Sequence, residues 1–130
     1  MENKSFNPVG WFEIYVNDIQ RAQKFYEHML QITMQDLPTP EGDAAFKMVS
    51  FPSDMNVYGS GGTIVKMEGF PAGGNSTLVY FSCEDCAVEE SRIEAAGGKI
   101  FRPKMSICDY GFITLGFDSE GNMFGLHSLQ

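Results

Sequence analysis

Two titratable side chains of this sequence, Glu13 and His127, are candidates for proton-transfer chemistry. Glu13 stands in the otherwise aromatic and β-branched run Gly10–Val16, where burying a carboxylate is costly unless it is paired. A carboxylate next to an imidazole can orient the ring for acid–base catalysis, or can hold a polar ligand. The simpler alternative is that Glu13 hydrogen-bonds a backbone amide or a hydroxyl and that His127, near the C-terminus, is exposed.

The cysteines offer a second kind of chemistry. Cys83 and Cys86 have the C-x-x-C spacing found in redox and zinc sites, but no second pair of Cys or His residues follows them. An odd total of three cysteines does not indicate a disulfide framework. We therefore interpret the pair as small buried thiols near the junction of a strand and a helix.

Both halves of the chain repeat one order of predicted elements. A strand at Gly10–Val16 precedes Asp18, which can cap a helix near residues 19–30. A strand at Thr77–Cys83 precedes Asp85, which can cap a helix near residues 87–96. Three further strands are predicted after each helix.

The repeat predicts an α+β fold in a single domain of 130 residues. Its two βαβββ modules span about residues 8–69 and 76–130, and the Gly- and Pro-rich segment Phe70–Ser76 separates them. Each module is expected to contribute half of a curled mixed sheet, and the two halves are expected to enclose one cavity.

Three motifs resemble a known superfamily. Residues 12–26 contain VNDIQRAQKFY, similar to the recurrent form V-x-D-x-x-R-A-x-x-F-Y, and residues 94–99 (EAAGGK) look like the end of a second helix. Residues 118–126 (DSEGNMFGL) resemble the turn and strand D-P-x-G-N-x-F-x-L, with Ser119 where Pro is usual. In this order the motifs resemble the vicinal-oxygen-chelate superfamily, the glyoxalase, bleomycin-resistance and extradiol-dioxygenase group.

The resemblance implies a cavity in which three or four His and Glu side chains hold a divalent metal. The positions that match the ligands of the first, fifth and last strands are Trp11, Leu78 and Gly125, and no His lies near the fourth position around Thr63–Met67. Trp, Leu and Gly side chains do not bind such an ion. We therefore expect no metal cofactor, with a divalent metal at an unaligned site as the alternative.

If Trp11 lies on the ligand face, strand alternation predicts which other residues point into the cavity. Glu13 and His127 are then placed to meet each other. The remaining candidates for ligand contact are apolar, aromatic or small, namely Trp11, Tyr15, Phe46, Met48, Tyr58, Phe70, Leu78, Tyr80 and Gly125.

The sequence therefore predicts a glyoxalase-like protein that binds a small organic molecule in a mostly apolar cavity. One alternative is an enzyme of the same fold, a lyase, isomerase or dioxygenase, that uses Glu13 and His127 or an unaligned metal. Another is a resistance-type protein that sequesters its ligand. The superfamily and the apolar sheet edges also predict a homodimer with two-fold symmetry.

The composition limits the partners. A net charge of −8 disfavours nucleic acid and anionic membranes. The sequence has no apolar run long enough to cross a membrane, and its first residues lack a signal-peptide pattern. We therefore expect a cytoplasmic protein.

Overall fold

The computed structural model describes residues 7–38, 46–54, 56–74 and 76–130. Residue 75, in the predicted linker, lies outside the described residues, as do residues 39–45 and 55 of the first predicted module. The first module runs through β1 (Trp11–Tyr15), α1 (Ile19–Leu30), β2 (Gln35–Leu37), β3 (Phe46–Ser50) and β4 (Gly61–Met67). The second runs through β5 (Tyr80–Ser82), α2 (Cys86–Glu90), β6 (Lys99–Ser106), β7 (Phe112–Phe117) and β8 (Met123–Ser128).

The two modules have the same sheet topology. The strand order is β1-β4-β3-β2 in the first sheet and β5-β8-β7-β6 in the second. In each sheet the first strand pairs in parallel with the last strand of its module, and the remaining pairs are antiparallel. The predicted α+β fold of two βαβββ modules is confirmed.

The two helices differ in how well their predicted lengths agree with the structure. The Asp18 side chain caps α1 by accepting a hydrogen bond from the Arg21 amide at 3.1 Å, and the helix ends at the predicted residue. The predicted helix at 87–96 is too long, because α2 ends at Glu90 and a series of turns follows. Several of these turns have hydrogen bonds between residues three apart, such as Ile93 N to Glu90 O at 3.1 Å.

One aromatic cluster joins the modules behind the sheets. Tyr26 of α1 contacts Phe81 of β5 with 5.6 Å between ring centroids, and Phe81 contacts Phe124 of β8 at 6.1 Å. Phe51, just after β3, packs against both Tyr26 and Phe81. The helices and the inner faces of both sheets therefore share a continuous core. Of the helices in the described ranges, none is long and apolar enough to span a membrane.

The turn before β8 ties the second module to α1. Asp118 Oδ1 accepts hydrogen bonds from the amides of Glu120 and Asn122, and Asp118 Oδ2 accepts one from the Tyr26 hydroxyl at 2.6 Å. Burial raises the pKa of Asp118, and these hydrogen bonds oppose part of that rise.

Glu120 completes the same connection from inside the turn. Its Oε1 accepts hydrogen bonds from the amides of Asn17 and Asp18 at 3.0 and 2.8 Å, and Arg21 forms an ion pair with it. Burial alone would raise the pKa of Glu120, but the hydrogen bonds from Arg21 and from the Asp18 amide outweigh it, so the pKa is lowered. The network fixes the position of β8 relative to β1.

Candidate ligand-binding site

The candidate site residues lie on the face of each sheet that points away from the helices, which we call the open face. Ile14 packs in the core, so its strand neighbours Glu13 and Tyr15 point to the open face. Sheet register extends this face to β3, where Phe46 and Met48 stand opposite Met67 and Val65. In the second sheet it pairs Tyr80 with Gly125 and Ser82 with His127.

The three positions that match metal ligands in the superfamily carry side chains with other roles. The Trp11 ring is 46% exposed and lies against Gly61, where an added Cβ would be 3.0 Å from the ring. A Cβ added to Gly125 would lie only 2.3 Å from the Tyr80 ring, so that ring occupies the space of a longer side chain. Leu78 offers no ligand atom, and these positions therefore do not fit a divalent ion.

Among the described residues, no group of three or more His, Cys, Asp or Glu side chains is arranged to hold a metal ion.

The C-x-x-C pair has the environment of structural rather than reactive thiols. Cys86 is fully buried, with its Sγ 3.6 Å from the Thr114 hydroxyl, and Cys83 is half-buried. Burial, followed by the nearby Glu89 carboxylate, raises the pKa of Cys83 to about 12. A reactive cysteine has a lowered pKa instead.

A cavity of about 330 Å³ opens between the two modules, and we call it the junction cavity. It lies where the end of β1 approaches the start of β8, and the Asn122 side chain donates a hydrogen bond across this junction to the Tyr15 carbonyl at 2.9 Å. The rings of Tyr15 and Phe70 form one wall, with 5.5 Å between their centroids. The lining consists of Glu13, Ile14, Tyr15, Tyr26, Gly69, Phe70, Pro71, Gly73, Thr77, Val79, Asn122, Met123 and Phe124.

Glu13 contributes a carboxylate to the junction cavity. Its Oε1 accepts a hydrogen bond from the Tyr15 hydroxyl at 2.8 Å, and its side chain is exposed. The hydrogen bond to Glu13 is the main cause of the raised pKa of Tyr15, followed by burial. The simpler alternative for Glu13, a hydrogen bond to a hydroxyl, is therefore what the structure contains.

A second cavity of about 520 Å³ lies over the second sheet, and we call it the second-sheet cavity. His127 Nε2 lies 2.6 Å from the Tyr110 carbonyl oxygen. Because a carbonyl oxygen only accepts, Nε2 is the donor in this hydrogen bond. The lining consists of Tyr58, Tyr80, Ser82, Ile107, Ile113 and His127.

The proposed meeting of Glu13 and His127 is wrong, since each has a different hydrogen-bond partner and lines a different cavity. On β8 the open-face residue in the junction cavity is Met123, and His127 lies four positions further along. At about 3.3 Å per residue, this offset is about 13 Å.

Phe46 and Met48 lie on the expected face but line neither cavity. They belong to β3, which β4 separates from β1. Trp11, Leu78 and Gly125 also line neither cavity. Of the remaining candidates, Tyr15 and Phe70 line the junction cavity, and Tyr58 and Tyr80 line the second-sheet cavity.

Apart from Phe70, the contribution of the linker to the site was not predicted from the sequence. Its first residues, with Gly69, form a wall of the junction cavity rather than only a boundary between modules. Two asparagine side chains hold it there: Asn17 Oδ1 accepts from the Ala72 amide at 3.0 Å and Asn122 Oδ1 from the Gly73 amide at 2.7 Å. Asn17 follows β1 and Asn122 precedes β8, and nothing in the sequence pattern indicated that their side chains bind the linker.

Comparison with known proteins gives structural relatives only. No family model matches the sequence, and no curated protein matches it. Glyoxalase I from Zea mays superposes with a TM-score of 0.74 at 18% identity over 94% of this chain, which spans only 46% of the maize chain. An antibiotic binding protein from a Streptomyces species superposes with a TM-score of 0.65 at 20% identity, over 97% of this chain and 98% of that one.

A glyoxalase/bleomycin resistance protein from Albidiferax ferrireducens gives a TM-score of 0.65 at 18% identity, over 94% of this chain and 98% of that one. At such identities these similarities are evidence about the fold. The resemblance drawn from the three sequence motifs is confirmed at that level.

Proposed function

We propose that this chain, which has the fold of the vicinal-oxygen-chelate superfamily, binds a small and partly apolar organic molecule in the junction cavity. The observation that carries the proposal is the cavity itself. Its volume of about 330 Å³ falls in the range of small-molecule sites, and aromatic and aliphatic side chains dominate its lining. The similarity to an antibiotic binding protein supports the same class of ligand.

We further propose that binding requires no protein-held metal. The support is chemical, because Trp11, Leu78 and Gly125 replace the imidazole and carboxylate ligands that the superfamily uses. A single remaining ligand would lack the chelation on which tight binding of a divalent ion depends.

A matched pair of variants tests the ligand site. Val79→Phe places a larger side chain on the cavity wall, whereas Val88→Phe makes the same change at an exposed position of α2. Fragments that bind the wild type are identified by ligand-detected NMR. We expect Val79→Phe to weaken their binding by about ten-fold or more, equivalent to about 1.4 kcal/mol, and Val88→Phe to leave it unchanged.

Both variants should unfold cooperatively, which excludes loss of the fold as the cause. If Val79→Phe binds the same fragments as tightly as the wild type does, the junction cavity is not the ligand site.

Sequestration of an antibiotic-like molecule is the second candidate function. It is favoured by the Streptomyces protein, because that similarity covers nearly the whole of both chains. A sequestering protein returns its ligand chemically unchanged, so mass spectrometry after prolonged incubation separates this function from catalysis. An enzyme based on Glu13 and His127 together is not favoured, since they line different cavities.

We also propose that the chain forms a homodimer. Several large apolar side chains are exposed, including Trp11 at 46%, Tyr80 at 45% and Phe101 at 55%. A symmetric pair of subunits would remove such side chains from water.

A further inference from the structure

The junction cavity contains a carboxylate without a neighbouring cation. Among the described residues that line it, none is Lys, Arg or His, and Glu13 is the acidic residue. Glu13 takes part in neither of the ion pairs in the described part of the chain, Arg21 with Glu120 and Lys104 with Asp85. Its contact with Tyr15 is a hydrogen bond from a neutral hydroxyl, so the negative charge of the carboxylate is not balanced within the cavity.

Aromatic rings stand directly beside this carboxylate. The Tyr15 hydroxyl donates to Glu13, and the Tyr15 ring contacts Phe70 at 5.5 Å between centroids with 32° between the ring planes. Phe70 is 53% exposed, so its ring is accessible to a ligand. The faces of aromatic rings carry partial negative charge and attract cations that come within about 6 Å of the ring centre.

A basic side chain of the same module does not fill this role. Lys66 is adjacent in sequence to Val65, which pairs with Tyr15, and alternation directs Lys66 to the opposite face of β4. Lys66 lines an adjoining pocket together with Glu68; that pocket shares Gly69, Phe70 and Pro71 with the junction cavity, but Lys66 does not line the junction cavity itself. The net charge of −8 adds a long-range field that attracts cations and repels anions.

Building on the proposed function, we propose that the ligand of the junction cavity is an organic cation, an amine attached to an apolar body. Its ammonium group would face the Glu13 carboxylate and the ring faces of Tyr15 and Phe70, and its apolar part would contact Val79 and Phe124. A neutral ligand would leave the Glu13 charge unpaired, and an anionic ligand would be repelled by it.

Three small probes with a shared benzyl group test the charge preference. Benzylamine is cationic at pH 7, benzyl alcohol is its neutral analogue of nearly the same shape, and phenylacetate is the anion. Binding is measured by titration, following the backbone amide NMR signals of the junction-cavity residues. We expect benzylamine to bind about five-fold more tightly than benzyl alcohol, as for a partly exposed ion pair, and phenylacetate to bind most weakly.

Two charge-matched variants locate the source of the preference. Glu13→Gln keeps an acceptor for the Tyr15 hydroxyl but removes the charge, and it should reduce the preference for benzylamine over benzyl alcohol to within about two-fold. Glu94→Gln changes the net charge equally at an exposed position outside the cavity and should retain the five-fold preference. Added NaCl should reduce the preference in the wild type and have little effect on it in Glu13→Gln.

The outcomes separate this inference from the function on which it rests. If all three probes shift the cavity signals with equal affinity, or if Glu13→Gln keeps the full preference, the organic-cation inference is overturned while the proposed function stands. If none of the probes shifts the signals of the cavity residues, the result counts against small-molecule binding in the junction cavity itself.

Discussion

Replacing Thr63 by valine tests how a buried hydroxyl next to Glu13 affects the stability of the fold. Thr63 lies in β4, where the register pairs it with Glu13 on β1 and with Ser50 on β3. Its side chain is fully buried, and Oγ1 has no hydrogen-bond partner among the residues that the structure describes. The folded chain therefore carries the cost of a desolvated hydroxyl.

The size of the effect follows from this geometry. A buried hydroxyl without a partner costs about 1–3 kcal/mol, and valine has nearly the same shape and the same branching at Cβ. We expect Thr63→Val to raise the free energy of unfolding by about 1 kcal/mol. For a domain of this size, such a gain corresponds to a rise in melting temperature of about 3–5 °C.

Thr114 provides a matched control in β7. It is also fully buried, but its hydroxyl donates to Glu90 Oε1 at 2.9 Å. Thr114→Val removes this hydrogen bond and should lower the free energy of unfolding by about 1–2 kcal/mol. Urea denaturation followed by circular dichroism and by fluorescence of Trp11, the only tryptophan, measures both changes.

The two variants are thus expected to shift the urea midpoint in opposite directions. If Thr63→Val lowers the midpoint as much as Thr114→Val does, the Thr63 hydroxyl makes a favourable interaction in solution. The assignment of an uncompensated polar atom at this position would then be incorrect.

Three further predictions concern the α1 connection, the metal and the assembly. Glu120→Gln should lower the free energy of unfolding by about 1–2 kcal/mol at pH 7, because the buried carboxylate accepts two backbone amide hydrogen bonds. The pKa of Glu120 is lowered on folding, so the ionised carboxylate contributes its full stabilisation above about pH 4.5 and this stabilisation is lost as the pH falls through the lowered pKa. The urea midpoints of the wild type and of Glu120→Gln should therefore converge in acid. Elemental analysis after dialysis should show well under one divalent metal per chain, also in Trp11→His; one retained equivalent would contradict the proposed absence of a metal. Light scattering at micromolar concentration should give twice the chain mass of 14.5 kDa, and a monomer would exclude the dimer.

The elements that depend on local pattern were predictable from the sequence. The apolar stripe and the Asp18 cap predicted both ends of α1, and period-two alternation placed Glu13 and Tyr15 on the open face. The length of α2 was not predictable in the same way, because after Glu90 the chain continues in turns that still bury Ile93. A buried apolar residue at helical spacing fits either conformation.

Period-two alternation could not predict which residues of different strands lie close to each other. Alternation assigns a residue to a face, but it gives neither the order of the strands nor the offset between them. Glu13 and His127 both satisfy the alternation and still line separate cavities, because the offset along β8 is four residues. The separation of Met48 from the junction cavity likewise depends on the strand order.

On the open face, two of the positions that match metal ligands of the superfamily are in close contact with a residue of the neighbouring strand. Gly125 matches the ligand position of the last strand, and the Tyr80 ring lies so close that any Cβ at residue 125 would collide with it. A carboxylate at residue 125 would therefore require the Tyr80 ring to move first. Trp11 and Gly61 form a similar contact between a ring and a glycine on the first sheet. A carboxylate at residue 125 alone would therefore not recreate a metal site, and the rings of Trp11 and Tyr80 present aromatic surface on the open face instead.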